Sequence, residues 1–176
     1  SKEEEAEKLV RDLEDSSRKH KDRLRKLVRD LEELVKEHER DLKRIVEELK
    51  KLVDDASRSK REDVLKTVED RLRELEEKLE RSTRTIREVV KRVEEDLDRS
   101  TEEHEKLVED IRRELEKRGG IKELEEELRR NLKEVREVTE DAKRKLRDIL
   151  RKVEDASRRV KEMLDKILKR VEEEIR

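Results

Sequence analysis

Apolar residues in the first third of the chain recur in columns 18 residues apart. Ala6, Leu24 and Leu42 form one column. Leu9, Leu27 and Ile45 form the next, followed by Val10, Val28 and Val46, then Leu13, Leu31 and Leu49. At 3.6 residues per turn, 18 residues make about five turns of α-helix, so each column is one angular position on one helix. The apolar positions cover an arc roughly 120° wide. The pattern predicts one uninterrupted helix over about residues 3–57. The same columns return as Leu72, Val90 and Val108, Leu75, Val93 and Ile111, and Leu79, Leu97 and Leu115, which predicts a second helix over about 60–118. Leu128, Leu146 and Leu164, Leu132, Leu150 and Leu168, and Val135, Val153 and Val171 predict a third over about 121–174.

Two short stretches break the pattern. Around Ser57 to Lys60 the apolar columns stop, and Ser59 followed by Glu62 matches a capping box. Gly119-Gly120 ends the second helix, since glycine accepts the left-handed conformation that follows a helix C-terminus. Three helices of similar length joined by tight turns make an all-α, antiparallel, up-down-up three-helix bundle, expected as a single domain over 1–176. An 18-residue repeat lies between the heptad of left-handed coiled coils and the 11-residue repeat of right-handed ones, so the helices are expected to be long and nearly straight. Each should extend about 80 Å at 1.5 Å per residue.

Several polar residues interrupt the apolar arcs. His20 and His38 occupy the column that Ala56 completes. Ser82 and Ser100 stand 18 apart, as do Thr83 and Thr101, and Thr139 and Ser157. Tight turns near Ser59 and Gly119 set His20 against Ser100, Thr101 and Thr139. They set His38 against Ser82, Thr83 and Ser157. Ser16, Ser17 and His104 fall within about a turn of the first level. Asn131 lies a little further along, at the edge of its arc, where it is either a network member or a solvated boundary residue. We read two buried hydrogen-bond networks here. A buried polar group without a partner costs about 1–3 kcal/mol, so such residues belong on inward positions only where they meet. Layers of this kind fix the register of otherwise similar Leu and Val columns.

Composition sharpens this picture. Charged residues make up 60% of the chain, and aromatic residues, Pro and Cys are absent. So much charge can signal disorder, but the strict spacing of the apolar residues argues for folded helices. Basic and acidic residues number 52 and 54, interleaved throughout, for a net charge of −2. No basic stripe is left for nucleic acid. Without Cys there is no disulfide and no thiolate ligand. No apolar run approaches membrane-spanning length. A start at Ser1 is what a trimmed recombinant chain would carry, and soluble expression is expected of it.

The 18-residue columns, the paired levels His20/Ser100/Thr139 and His38/Ser82/Ser157, the Gly119-Gly120 turn and the Glu-, Lys- and Arg-saturated surface resemble de novo designed helical bundles with buried hydrogen-bond networks. That resemblance spans the whole chain and implies a scaffold or building block without natural biochemical activity. Spectrin repeats are the closest natural shape, but they carry Trp and lack so strict a repeat.

Other chemistries fare worse. His20, His38 and His104 could ligate a metal, yet no Cys, Asp or Glu joins them on the arcs to complete a tetrahedral set. A Ser-His pair could suggest a nucleophile, but it would be sealed in a narrow core without a cleft. No catalytic, metal or cofactor site is expected. Met163 reads as core filler. No outer face carries a second apolar stripe, so a monomer that requires no partner is expected. The alternative is a rod-like spacer or a helix-mediated interaction module, made pH-sensitive by its buried histidines.

Overall fold

The computed structural model describes residues 1–175. Among them lie three helices, α1 over Lys2–Arg58, α2 over Glu62–Lys117 and α3 over Lys122–Ile175. The sequence places every boundary within two residues of these. Each helix persists because apolar columns continue along it and neither Gly nor Pro interrupts them. Arg or Lys paired with Asp or Glu three or four positions away adds a few tenths of a kcal/mol per exposed turn, as in Arg99 with Asp96 and Lys66 with Glu62.

The turns have distinct chemistry. After α2 the Gly120 amide donates to the Leu115 carbonyl at 2.8 Å, and the Gly119 amide to that of Glu116 at 3.2 Å. These are the two bonds of a Schellman cap, and both glycines have positive φ, 91° and 72°. The capping box expected of Ser59 and Glu62 does not form. The first bond of α2 runs from the Leu65 amide to the Arg61 carbonyl, which makes Arg61 the N-cap residue. Ser59 Oγ instead accepts from the Arg61 amide at 3.4 Å, two residues on, a local turn that competes with capping. At the start of α3, Ile121 holds the corresponding position, accepting from the amides of Leu124 and Glu125.

By compactness the chain divides into two units. The first joins Ser1–Asp30 to Val90–Arg147, and the second joins Leu31–Val89 to the stretch from Asp148 onward. Each unit takes a segment from all three helices. In the first, Leu13, Val108, Ile111, Leu115 and Leu128 form a buried cluster on the side of the glycine turn. In the second, Leu42, Ile45, Leu49, Leu65, Leu72, Leu75 and Leu164 belong to a larger cluster toward the first turn. Partners descend α2 as they ascend α1 within each unit, so these helices are antiparallel, while α1 and α3 run parallel. Met163 departs from expectation. It is 43% exposed, because it lies at the margin of the α3 arc rather than within it.

Candidate functional site

His20, His38 and His104 are each almost completely enclosed. Each stands at the centre of a small hydrogen-bonded level, and all three levels follow one plan. A histidine on one helix of the α1–α2 pair offers Nδ1 to the first residue of a hydroxyl dipeptide on the other. Its Nε2 meets a polar side chain on α3. The second residue of the dipeptide meets that same α3 side chain.

In the first unit, His20 Nδ1 lies 2.6 Å from Ser100 Oγ, and His20 Nε2 lies 2.8 Å from Thr139 Oγ1. Thr101 Oγ1 approaches Thr139 Oγ1 to 3.1 Å. Thr139 donates its own hydroxyl proton to the Val135 carbonyl at 2.8 Å, one turn back on its helix. Its oxygen is then free to accept, so the His20 proton belongs on Nε2 and Ser100 donates to Nδ1. Every proton in the level has an acceptor in this arrangement.

The second level of this unit exchanges the roles of α1 and α2. His104 now supplies the imidazole, and Ser16-Ser17 the dipeptide. Ser16 Oγ lies 2.8 Å from His104 Nδ1, and His104 Nε2 lies 2.6 Å from Asn131 Oδ1. Asn131 Nδ2 donates to Ser17 Oγ at 2.6 Å. Sequence reasoning puts these residues near the first level and leaves Asn131 open between two roles. The structure makes them a separate, complete network in which the Asn131 amide joins α1, α2 and α3. The signal is present in the sequence: the antiparallel register that opposes His20 to Ser100 also opposes Ser16 to His104.

In the second unit, His38 Nδ1 lies 2.6 Å from Ser82 Oγ, and its Nε2 lies 3.0 Å from Ser157 Oγ. Thr83 Oγ1 has two acceptors in reach, Ser157 Oγ at 3.0 Å and the Leu79 carbonyl at 2.9 Å. Its single proton can serve either, so this level leaves more freedom to the His38 tautomer than the His20 level does.

Burial sets the electrostatics. Desolvation pushes the His20 pKa below the ordinary imidazole value of 6.5, and the nearby His104 and Lys21 push it the same way. Desolvation likewise lowers that of His38, partly offset by Asp41 and Glu39. Both imidazoles are thus held neutral, as a level of matched neutral donors and acceptors requires.

Ion pairs line the seam between α2 and α3. In the first unit α2 supplies the acid, with Glu105 on Arg136 at 2.9 Å, Asp98 on Lys143 and Glu94 on Arg147. In the second unit α2 supplies the base, with Arg87 on Glu154 and Arg73 on Glu172, both at 2.8 Å. Single exposed pairs contribute about 0–1 kcal/mol, so this pattern bears more on pairing choice than on stability. Arg71 donates to both carboxylate oxygens of Glu48, at 2.5 and 3.0 Å, across α1 and α2. That hydrogen bonding holds the Glu48 carboxyl below its usual range.

Among the described residues no group of three or more His, Cys, Asp or Glu side chains is placed to hold a metal ion. No described helix is long and apolar enough to cross a membrane. No protein-family model matches the chain, and no curated protein matches it. Among solved structures it is similar to a "Computationally designed three helix bundle", with a TM-score of 0.52 and 19% identity. The match covers 98% of this chain and 92% of the other. At that identity the likeness concerns the fold, which is that of a three-helix bundle.

Proposed function

We propose that this chain is a designed structural scaffold, a single monomeric three-helix bundle without biochemical activity of its own, whose buried polar levels specify how the helices pack. One observation carries the reading. The same four-residue plan occurs three times, once with α1 and α2 exchanged, and side-chain hydrogen bonds join its members each time. Support also comes from the 18-residue columns, the charge content of 60% and the likeness in fold to a computationally designed bundle. Apolar burial is non-directional, so Leu and Val columns tolerate small rotations and shifts of one helix against another. Hydrogen bonds between buried groups do not, because a displaced group loses its partner.

The test replaces one whole level with apolar residues, as His38→Leu, Ser82→Ala, Thr83→Val and Ser157→Ala together. Removing both sides of a buried hydrogen bond is close to neutral for stability, so the variant should melt no earlier than the parent. Its second unit should lose its single packing, seen as doubled or broadened methyl resonances. A variant with one sharp set of resonances would refute the specifying role. A light-scattering mass of twice 21.5 kDa would refute the monomer.

A further inference from the structure

Among the grooves on the seam between α2 and α3, one in each unit reaches a level built on an α1 histidine. The first has a volume of about 420 Å³ and reaches Thr101 and Thr139. The second has a volume of about 320 Å³ and reaches Thr83 and Ser157. Both are roomy enough for several waters, each needing about 30 Å³. The residues at their floors are the α2–α3 ends of the two levels built on His20 and His38. The opposite ends, Ser100 and Ser82, lie half-buried on the α1–α2 side.

We propose that each of these two levels is a proton relay crossing its unit, running from the half-buried serine through the imidazole to the hydroxyls at the groove. The order in the first unit is Ser100 Oγ, His20 Nδ1, His20 Nε2, Thr139 Oγ1 and Thr101 Oγ1, with separations of 2.6, 2.8 and 3.1 Å between side chains. In the second it is Ser82, His38, Ser157 and Thr83, with separations of 2.6, 3.0 and 3.0 Å.

The steps balance. Water gives a proton to Ser100 Oγ as the serine's own proton passes to Nδ1, forming an imidazolium. Thr139 turns its hydroxyl from the Val135 carbonyl to Thr101, and Thr101 turns its own toward the groove; the Nε2 proton then passes to Thr139 Oγ1, the Thr139 proton to Thr101 Oγ1, and the Thr101 proton to groove water. One proton has entered and one has left, and the ring is now the Nδ1–H tautomer. Passage in the reverse direction restores it. Each hydroxyl can donate and accept, so no step needs a group that the level lacks.

The charged surroundings of the two relays differ. Around the first, Asp98, Glu102, Glu105 and Glu140 at the groove outnumber Arg136, while Lys21 and His104 stand near the ring. Around the second, Glu76, Glu80 and Glu154 balance Arg87, Arg158 and Lys161, with Glu39 and Asp41 on the α1 side. The carboxylates of Glu39 and Asp41 favour the transient imidazolium of His38, whereas Lys21 and His104 oppose that of His20, which makes the second relay the faster. The His104 level ends instead on an amide, which cannot pass a proton on in this way, and has no such relay.

The proposal concerns proton movement and is independent of any part the levels play in choosing the packing. Ring N–H exchange with deuterated solvent, followed by nitrogen-labelled NMR on the full chain, tests it. For His20 and His38 the exchange should not change with low concentrations of urea, because it needs no unfolding, whereas that of His104 should rise with urea. Thr139→Val keeps the side-chain shape and removes the link. It should slow the urea-independent exchange of His20 at least tenfold, leave His38 unchanged, and be reversed by Thr139→Ser. Exchange at His20 and His38 that rises with urea as steeply as the most protected backbone amides would overturn the proposal, and that comparison in the unmodified chain decides the matter even if Thr139→Val fails to fold.

Discussion

His104 Nε2 lies 2.6 Å from Asn131 Oδ1. An amide oxygen only accepts, so the imidazole proton is on Nε2 and Nδ1 accepts from Ser16. Replacing Asn131 with Leu gives an apolar residue of similar size but removes that acceptor. His104 is 1% exposed, and water cannot readily take the place of the amide. Asn131→Leu should therefore lower stability by about 1–3 kcal/mol, although it adds apolar surface to the arc. Urea denaturation followed by circular dichroism measures the change. A gain in stability would show that the Asn131 amide is dispensable.

Mild acid should weaken the fold through His20 and His38. His20 and His38 have folded pKa values below the ordinary 6.5, so above that pH they are neutral in both folded and unfolded chains. As pH falls below about 6.5 the unfolded chain binds protons that the folded chain resists, and stability declines until the folded values are passed. Glu48, whose carboxyl is depressed, contributes stability above about 4.5 that is lost only at lower pH. Between these two values the loss from His20 and His38 acts without that from Glu48. The urea midpoint should drop across it in the parent chain and stay nearly level in the variant carrying His20→Asn and His38→Asn. An equal drop in both would assign the effect elsewhere.

The turns offer changes of opposite sign. Gly119 has φ of 91° with open space where a Cβ would stand, so Gly119→Ala meets backbone strain alone. It should cost about 1–2 kcal/mol. Arg61 and Ile121 occupy N-cap positions without side chains suited to them, and Ile121 is 38% exposed. Arg61→Asp and Ile121→Asp should each add about 0.5–2 kcal/mol by accepting from free amides of the first turn. Thermal melts of the three variants are the check.

How legible this molecule is depends on which forces repeat. Helix number, direction and length follow from apolar columns that recur every 18 residues, and the two levels built on His20 and His38 share that repeat. The level of Ser16, Ser17, His104 and Asn131 has no counterpart 18 residues away, since Leu34 and Val35 occupy the shifted positions. Its completeness emerges only when α1, α2 and α3 are placed together. Ser59 misleads because a hydroxyl two residues before the N-cap can satisfy a turn amide as well as cap the helix. Met163 misleads because the edge of an arc differs little in sequence from its interior. Proton positions are not legible at all, as they depend on which hydroxyl turns toward a carbonyl.

Inward imidazoles and hydroxyls of this fold depend on one another, and a thermodynamic cycle between His38 and Ser157, 3.0 Å apart, measures that dependence. Stabilities are measured by urea denaturation for the parent, His38→Leu, Ser157→Ala and the double variant. Ser157→Ala alone should cost about 1–3 kcal/mol by stranding buried donors. The double variant should be more stable than the summed single losses by about 1 kcal/mol or more, as expected for directly bonded partners. Losses that add to within about 0.3–0.5 kcal/mol would mean the two side chains are independent, and would contradict the account.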